Sequence, residues 1–110
     1  MPTVKQFTQI KTFFNAQRKF YDNHFYRLVT LDEAEDEYEI EIATPGFCGD
    51  FIPAPKIKFH IDDNKLIPTF LINQEATPIV TIVNHSSEDE ARLSEALDEV
   101  FNQFLAKIDN

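Results

Sequence analysis

Residues 37–43 read Glu-Tyr-Glu-Ile-Glu-Ile-Ala. A strand sorts this period-two alternation into one apolar and one polar face, whereas a helix would scatter it around its circumference. The segment is expected to be a strand with Tyr38, Ile40 and Ile42 buried and Glu37, Glu39 and Glu41 wet. A second alternation occupies residues 56–61, with Ile57, Phe59 and Ile61 on one side and Lys56, Lys58 and His60 on the other. An antiparallel register that sets Ile40 opposite Ile57 also sets Tyr38 by Phe59, Glu39 by Lys58 and Glu41 by Lys56. Such cross-strand pairs contribute roughly 0.2–1 kcal/mol each, so the two segments are expected to be neighbours in one sheet.

Helical periodicity appears at both ends of the chain. Thr3 and Gln6 have capping-box spacing, and Phe7, Ile10, Phe13, Phe14, Phe20 and Tyr21 recur near helical period, which predicts a helix over residues 4–21. Lys5, Lys11, Arg18 and Lys19 then face away from the aromatic stripe, toward solvent. Asp22 and Asn23 are read as its terminators. Near the other end, Ser87 and Glu90 have the same capping spacing, and Leu93, Leu97, Val100, Phe101, Phe104, Leu105 and Ile108 form a continuous stripe, predicting a helix over 88–108.

Three more strands are expected between these helices. Residues 24–31 mix aromatic and β-branched side chains. Residues 66–72 contain Pro68, which points to an edge or a bulge, and residues 79–83 follow Thr77-Pro78. The last two segments are apolar at nearly every position, so something must cover both of their faces: helices, a second layer or another subunit. Thr44-Pro45-Gly46-Phe47 reads as a type II turn with positive φ at Gly46. The fold class is α+β, one antiparallel sheet of about five strands flanked by amphipathic helices, in the order αβββββα. One domain spanning residues 1–110 is the expectation.

The run from Glu37 to Phe47 resembles the strand-to-turn segment of small heat-shock proteins, although the long C-terminal helix departs from a β-sandwich. Helices at both ends of antiparallel strands are similar in architecture to bacterial secretion chaperones, a likeness that implies binding of a protein segment along a dimer. The central helix of that family has no counterpart between residues 61 and 66. Cystatin-like sheets wrapped on one helix are an equal comparison.

Charge is distributed unevenly along the chain. The first thirty residues carry Lys5, Lys11, Arg18, Lys19 and Arg27 against Asp22 alone, and the remainder holds eighteen of the nineteen acids, for a formal net charge of −9. An acidic excess of this size repels phosphate backbones and attracts basic surfaces. Its densest part is Asp32, Glu33, Glu35, Asp36, Glu37, Glu39 and Glu41, with Asp98 and Glu99 on the polar side of the last helix. A calcium loop lacks the EF-hand spacing and its glycine. His24, His60 and His85 are too far apart in sequence for a compact zinc site, and Cys48, in a loop with Gly46 and Gly49, would be a nucleophile with His24, His60 or His85 as base, though nothing in the sequence brings any of the three near it. No metal, cofactor or catalytic residue is assigned.

These observations favour a non-catalytic protein that binds a basic protein partner, as an inhibitor, immunity-type or chaperone-type adaptor. Glu33, Glu35, Asp36, Glu37, Glu39, Asp98 and Glu99 would guide the encounter. Three alternatives accompany this reading: a DNA mimic, a small-ligand or enzymatic domain with a pocket lined by Tyr26, Phe59 and Phe70, and a homodimer joined through residues 66–72 and 79–83. With one cysteine, no apolar run near the roughly 20 residues of a membrane span and no signal-peptide pattern, a cytoplasmic, membrane-free setting is expected.

Overall fold

The computed structural model describes residues 2–108. The order is α1 (Val4–Phe13), β1 (Lys19–Tyr21), β2 (His24–Asp32), β3 (Glu37–Pro45), β4 (Phe51–Asp62), β5 (Lys65–Asn73), β6 (Val80–Val83) and α2 (Ser87–Ile108). All six strands form one antiparallel sheet in sequential order. The protein is α+β, as the patterning predicts, with one strand more than expected.

The β3–β4 ladder has the register read from the sequence, pairing Tyr38 with Phe59, Glu39 with Lys58, Ile40 with Ile57 and Glu41 with Lys56. Pro68 lies in an internal strand and is accommodated at a bulge: Lys58 pairs with Phe70 and Phe59 with Pro68, which leaves Thr69 as the extra residue. A proline cannot donate to a ladder, and the bulge is where a sheet interior tolerates it.

Two short turns set the meander. Asp22-Asn23 and Asp63-Asn64 all have positive φ, from 49° to 68°, which is the conformation of a two-residue type I′ hairpin and one that Asp and Asn tolerate better than most residues. Asp22 and Asn23 therefore close the β1–β2 hairpin instead of ending a helix. The first helix stops at Phe13, and Phe20 and Tyr21, expected on its stripe, belong to β1. Phe14 caps the helix in extended geometry and packs against Tyr26 and Phe104. The expected type II turn at Gly46 is also corrected. β3 runs through Pro45, and the positive φ of the β3–β4 connection falls on Gly49 at 78°.

Both helices cover one face of the sheet. Phe7 and Ile10 of α1, and Leu93, Leu97, Val100, Phe101 and Phe104 of α2, close over Leu28, Tyr38, Ile40, Ile57, Phe59, Leu71 and Ile82 in one cluster. Phe7 meets the rings of Tyr38 and Phe59, and Phe59 meets Phe101. Burying each such side chain stabilises by roughly 1.5–3 kcal/mol. Because side chains alternate along a strand, Arg27, Glu39, Glu41, Lys56 and Lys58 project from the opposite, helix-free face.

Candidate functional site

In a sequential antiparallel meander, alternate connections fall at the same end of the sheet. The β2–β3 loop, the β4–β5 turn and the β6–α2 junction therefore share one end. The Ile61 amide donates to the Asp36 carbonyl at 3.0 Å, which ties the β2–β3 loop to the end of β4, and Glu90 lines a cavity together with Asn64 and Lys65. These three connections hold Asp32, Glu33, Glu35, Asp36 and Glu37, then Asp62 and Asp63, then Glu88, Asp89 and Glu90, all exposed except the half-buried Asp89. Among the described residues, none of the ten forms an ion pair within 4.0 Å. The sequence showed separate acidic runs, and the fold gathers them.

Some of these carboxylates have local structural duties. The Asp32 carboxylate accepts the Glu35 amide at 3.2 Å, and Asp36, at φ 53°, accepts the Tyr38 hydroxyl at 2.9 Å. Burial first, and then the hydrogen bond to Asp36, raise the Tyr38 pKa above its ordinary value. At the head of α2 the Ser86 hydroxyl accepts the Asp89 amide at 3.2 Å, and the Asp89 carboxylate accepts the His85 amide at 3.3 Å. The N-terminal signal is thus one residue upstream of the expected Ser87–Glu90 box. No side-chain hydrogen bond occupies Glu33, Glu35, Glu37, Glu88 or Glu90 among the described residues, so their carboxylates face water.

The other expected site residues are placed elsewhere. Glu39, read as wet, is buried at 7% exposure, and Glu41 is buried at 2%. Glu41 Oε1 accepts from Arg18 Nη2 at 2.9 Å and from Arg27 Nε at 2.8 Å, and Arg27 Nη2 stands 3.6 Å from Glu39. Arg18, expected on a solvent-facing helix surface, instead holds its guanidinium carbon 3.8 Å from the Phe51 ring centre. Long cationic stems laid across a bare sheet face exclude water without a helix to cover them. The strand acids are neutralised from β2 and the segment before β1. Lys58, expected to do this from β4, instead rests its ammonium over the Phe70 ring.

Asp98 and Glu99 lie mid-way along α2, roughly 14 Å from its first turn at 1.5 Å per residue, away from the acidic end. The pocket expected between Tyr26, Phe59 and Phe70 is not formed. Tyr26 and Phe59 are core residues, and Phe70 is on the other side of the sheet. A cavity of about 680 Å³ is lined instead by Pro2, Thr3, Val4, Lys5, the Asn64–Pro68 stretch, Glu90 and Ser94. Cys48 is an exposed loop thiol, and among the described residues there is no group of three or more His, Cys, Asp or Glu able to hold a metal ion and no helix long and apolar enough to cross a membrane. Comparison with protein-family models, with curated proteins and with solved structures returned no match.

Proposed function

We propose that the chain is a non-catalytic binding protein that offers its acidic end to a basic surface of another protein, in the manner of an inhibitor or adaptor. The observation that supports this most strongly is the gathering of three acid-bearing connections at one end of the sheet, with no ionic partner among the described residues. Glu33, Glu35 and Glu37 are the principal contributors, joined by Glu88 and Glu90. Asp32 and Asp36 serve the turn first, Glu39 is withdrawn from the set by Arg27, and Asp98 and Glu99 lie off to one side. Unshielded charge concentrated this way speeds and orients an encounter more than it strengthens the final complex. It also disfavours nucleic acid as the direct ligand, because phosphate meets the same sign of charge. A cytoplasmic setting belongs to the same proposal, supported by an exposed thiol with no mate.

The test is affinity capture from extract of the native host at low and high salt, comparing the natural chain with a Glu33→Gln, Glu35→Gln, Glu37→Gln triple variant. A basic protein should be retained at low salt, be released as screening shortens the reach of the field, and be lost with the triple variant. Retention that is indifferent to both salt and variant overturns the proposal.

A further inference from the structure

We propose that the cavity enclosed by the first turn of α1, the start of β5 and the first two turns of α2 binds a small apolar acid with a single anionic group, of the class of the aliphatic monocarboxylates. This is independent of the acidic end as a docking surface, although Glu90 borders both. The cavity measures about 680 Å³, inside the roughly 300–1,000 Å³ that small-ligand sites occupy. Its apolar lining is Pro2, Val4, Leu66, Ile67 and Pro68. Two of these five are prolines, which carry no backbone N–H, so a hydrocarbon body packed against them strands no donor there.

Charge selects the other end of the ligand. The charged residues of the lining are Lys5, Lys65 and Glu90, a surplus of one cation on a chain whose net charge is −9. All three are exposed, and among the described residues neither lysine has an ion pair, a hydrogen bond or a ring contact. Most of the other cations are already engaged: Arg18 and Arg27 on Glu41, Lys107 on Asp22, and Lys11, Lys19 and Lys58 over aromatic rings. Lys5 and Lys65 come from opposite ends of the chain and are free to close on a common anion at the mouth of the cavity. The surplus is one charge only, and Asp62, Asp63 and Glu88 stand exposed on the neighbouring turns. A second negative charge on the ligand would meet these acids, which favours a carboxylate over a phosphate dianion.

Isothermal titration calorimetry of the full chain with hexanoate, octanoate and decanoate, each below its micellar concentration, tests this. Saturable binding of one molecule per chain is expected, tightening about fourfold for each added methylene, the equivalent of ~0.8 kcal/mol, until the cavity is filled. Octylammonium should bind at least about tenfold more weakly than octanoate. The Lys5→Gln, Lys65→Gln double variant, altered only at exposed side chains, should keep its far-ultraviolet dichroism, lose at least about fivefold in octanoate affinity and bind neutral octanol unchanged. Amide chemical shifts moved by octanoate should centre on Val4, Leu66 and Ser94. Failure of all three alkanoates to saturate, octylammonium bound as tightly as octanoate, octanoate affinity untouched in the double variant, or shifts centred on the open face of the sheet at Val29 and Phe70 overturns the proposal.

Discussion

Glu41 is nearly sealed from solvent on a face that no helix covers, and two guanidinium groups converge on one of its oxygens. Such a carboxylate contributes less by existing than it costs to remove, because its loss strands the cations arranged around it. Arg18 and Arg27 keep 22% of their side-chain surface exposed and can turn toward water, which places the penalty at the lower end of the range. Glu41→Gln should therefore lower stability by about 2 kcal/mol, read as a shifted midpoint in urea denaturation. A loss below about 0.5 kcal/mol, the ordinary range of surface substitutions, would contradict this account. Arg18 Nε is buried without a hydrogen-bond partner, beside a Phe51 ring whose centre lies 3.8 Å from the guanidinium carbon.

At the scale of elements, the ends of the helices depend on single side chains. α1 has a complete capping box, with the Thr3 hydroxyl accepting the Gln6 amide and Gln6 Oε1 accepting the Thr3 amide. It ends where Phe14 turns extended, because the chain must reach Asn15, whose carbonyl accepts the Leu28 amide. α2 begins at Ser87 behind the Ser86 hydroxyl. Removing a capping hydroxyl costs about 1 kcal/mol, so Ser86→Ala should depress the melting temperature by a few degrees while Ser87→Ala leaves it nearly unchanged. Thermal melts of the two variants separate them, and the reverse order would refute the assignment of the cap.

For the whole molecule, the titrating groups that respond to folding point mainly toward alkaline pH. Burial raises the Tyr26 and Tyr38 pKa values, and the hydrogen bond to Asp22 raises that of Lys107. A group whose pKa rises on folding contributes stability that is complete below its unfolded value and is lost as pH climbs through the folded one. Melting temperature should thus fall from about pH 10 upward, near the ordinary range of tyrosine and lysine, and Tyr38→Phe should blunt part of that fall. The lowered Asp22 pKa, held by Lys107, acts oppositely. Its contribution is present at neutral pH and lost as acid protonates it, but the Asp22 carboxylate is exposed and its effect is screened.

The β3–β4 register, the C-terminal helix and the α+β class were legible because each rests on periodicity, a local property that burial on one side imposes directly on residue order. The two hairpin turns were legible in principle as well: Asp-Asn recurs at 22–23 and 63–64, and the second instance, already read as a turn, reveals the first. Helix length was not legible, since Phe13, Phe14, Phe20 and Tyr21 satisfy a helical stripe and a cross-strand aromatic cluster equally well, and only the pairing of Phe20 with Phe25 decides between them. The same limit governs charge. Alternation placed Glu39 and Glu41 opposite the core, but whether that face is wet depends on Arg18 and Arg27, which only tertiary folding brings over them. Likewise three acidic runs, distant in sequence, became one end of the molecule because an antiparallel meander returns alternate connections to the same side. Local pattern chose the elements, and long-range geometry chose which charges would meet water.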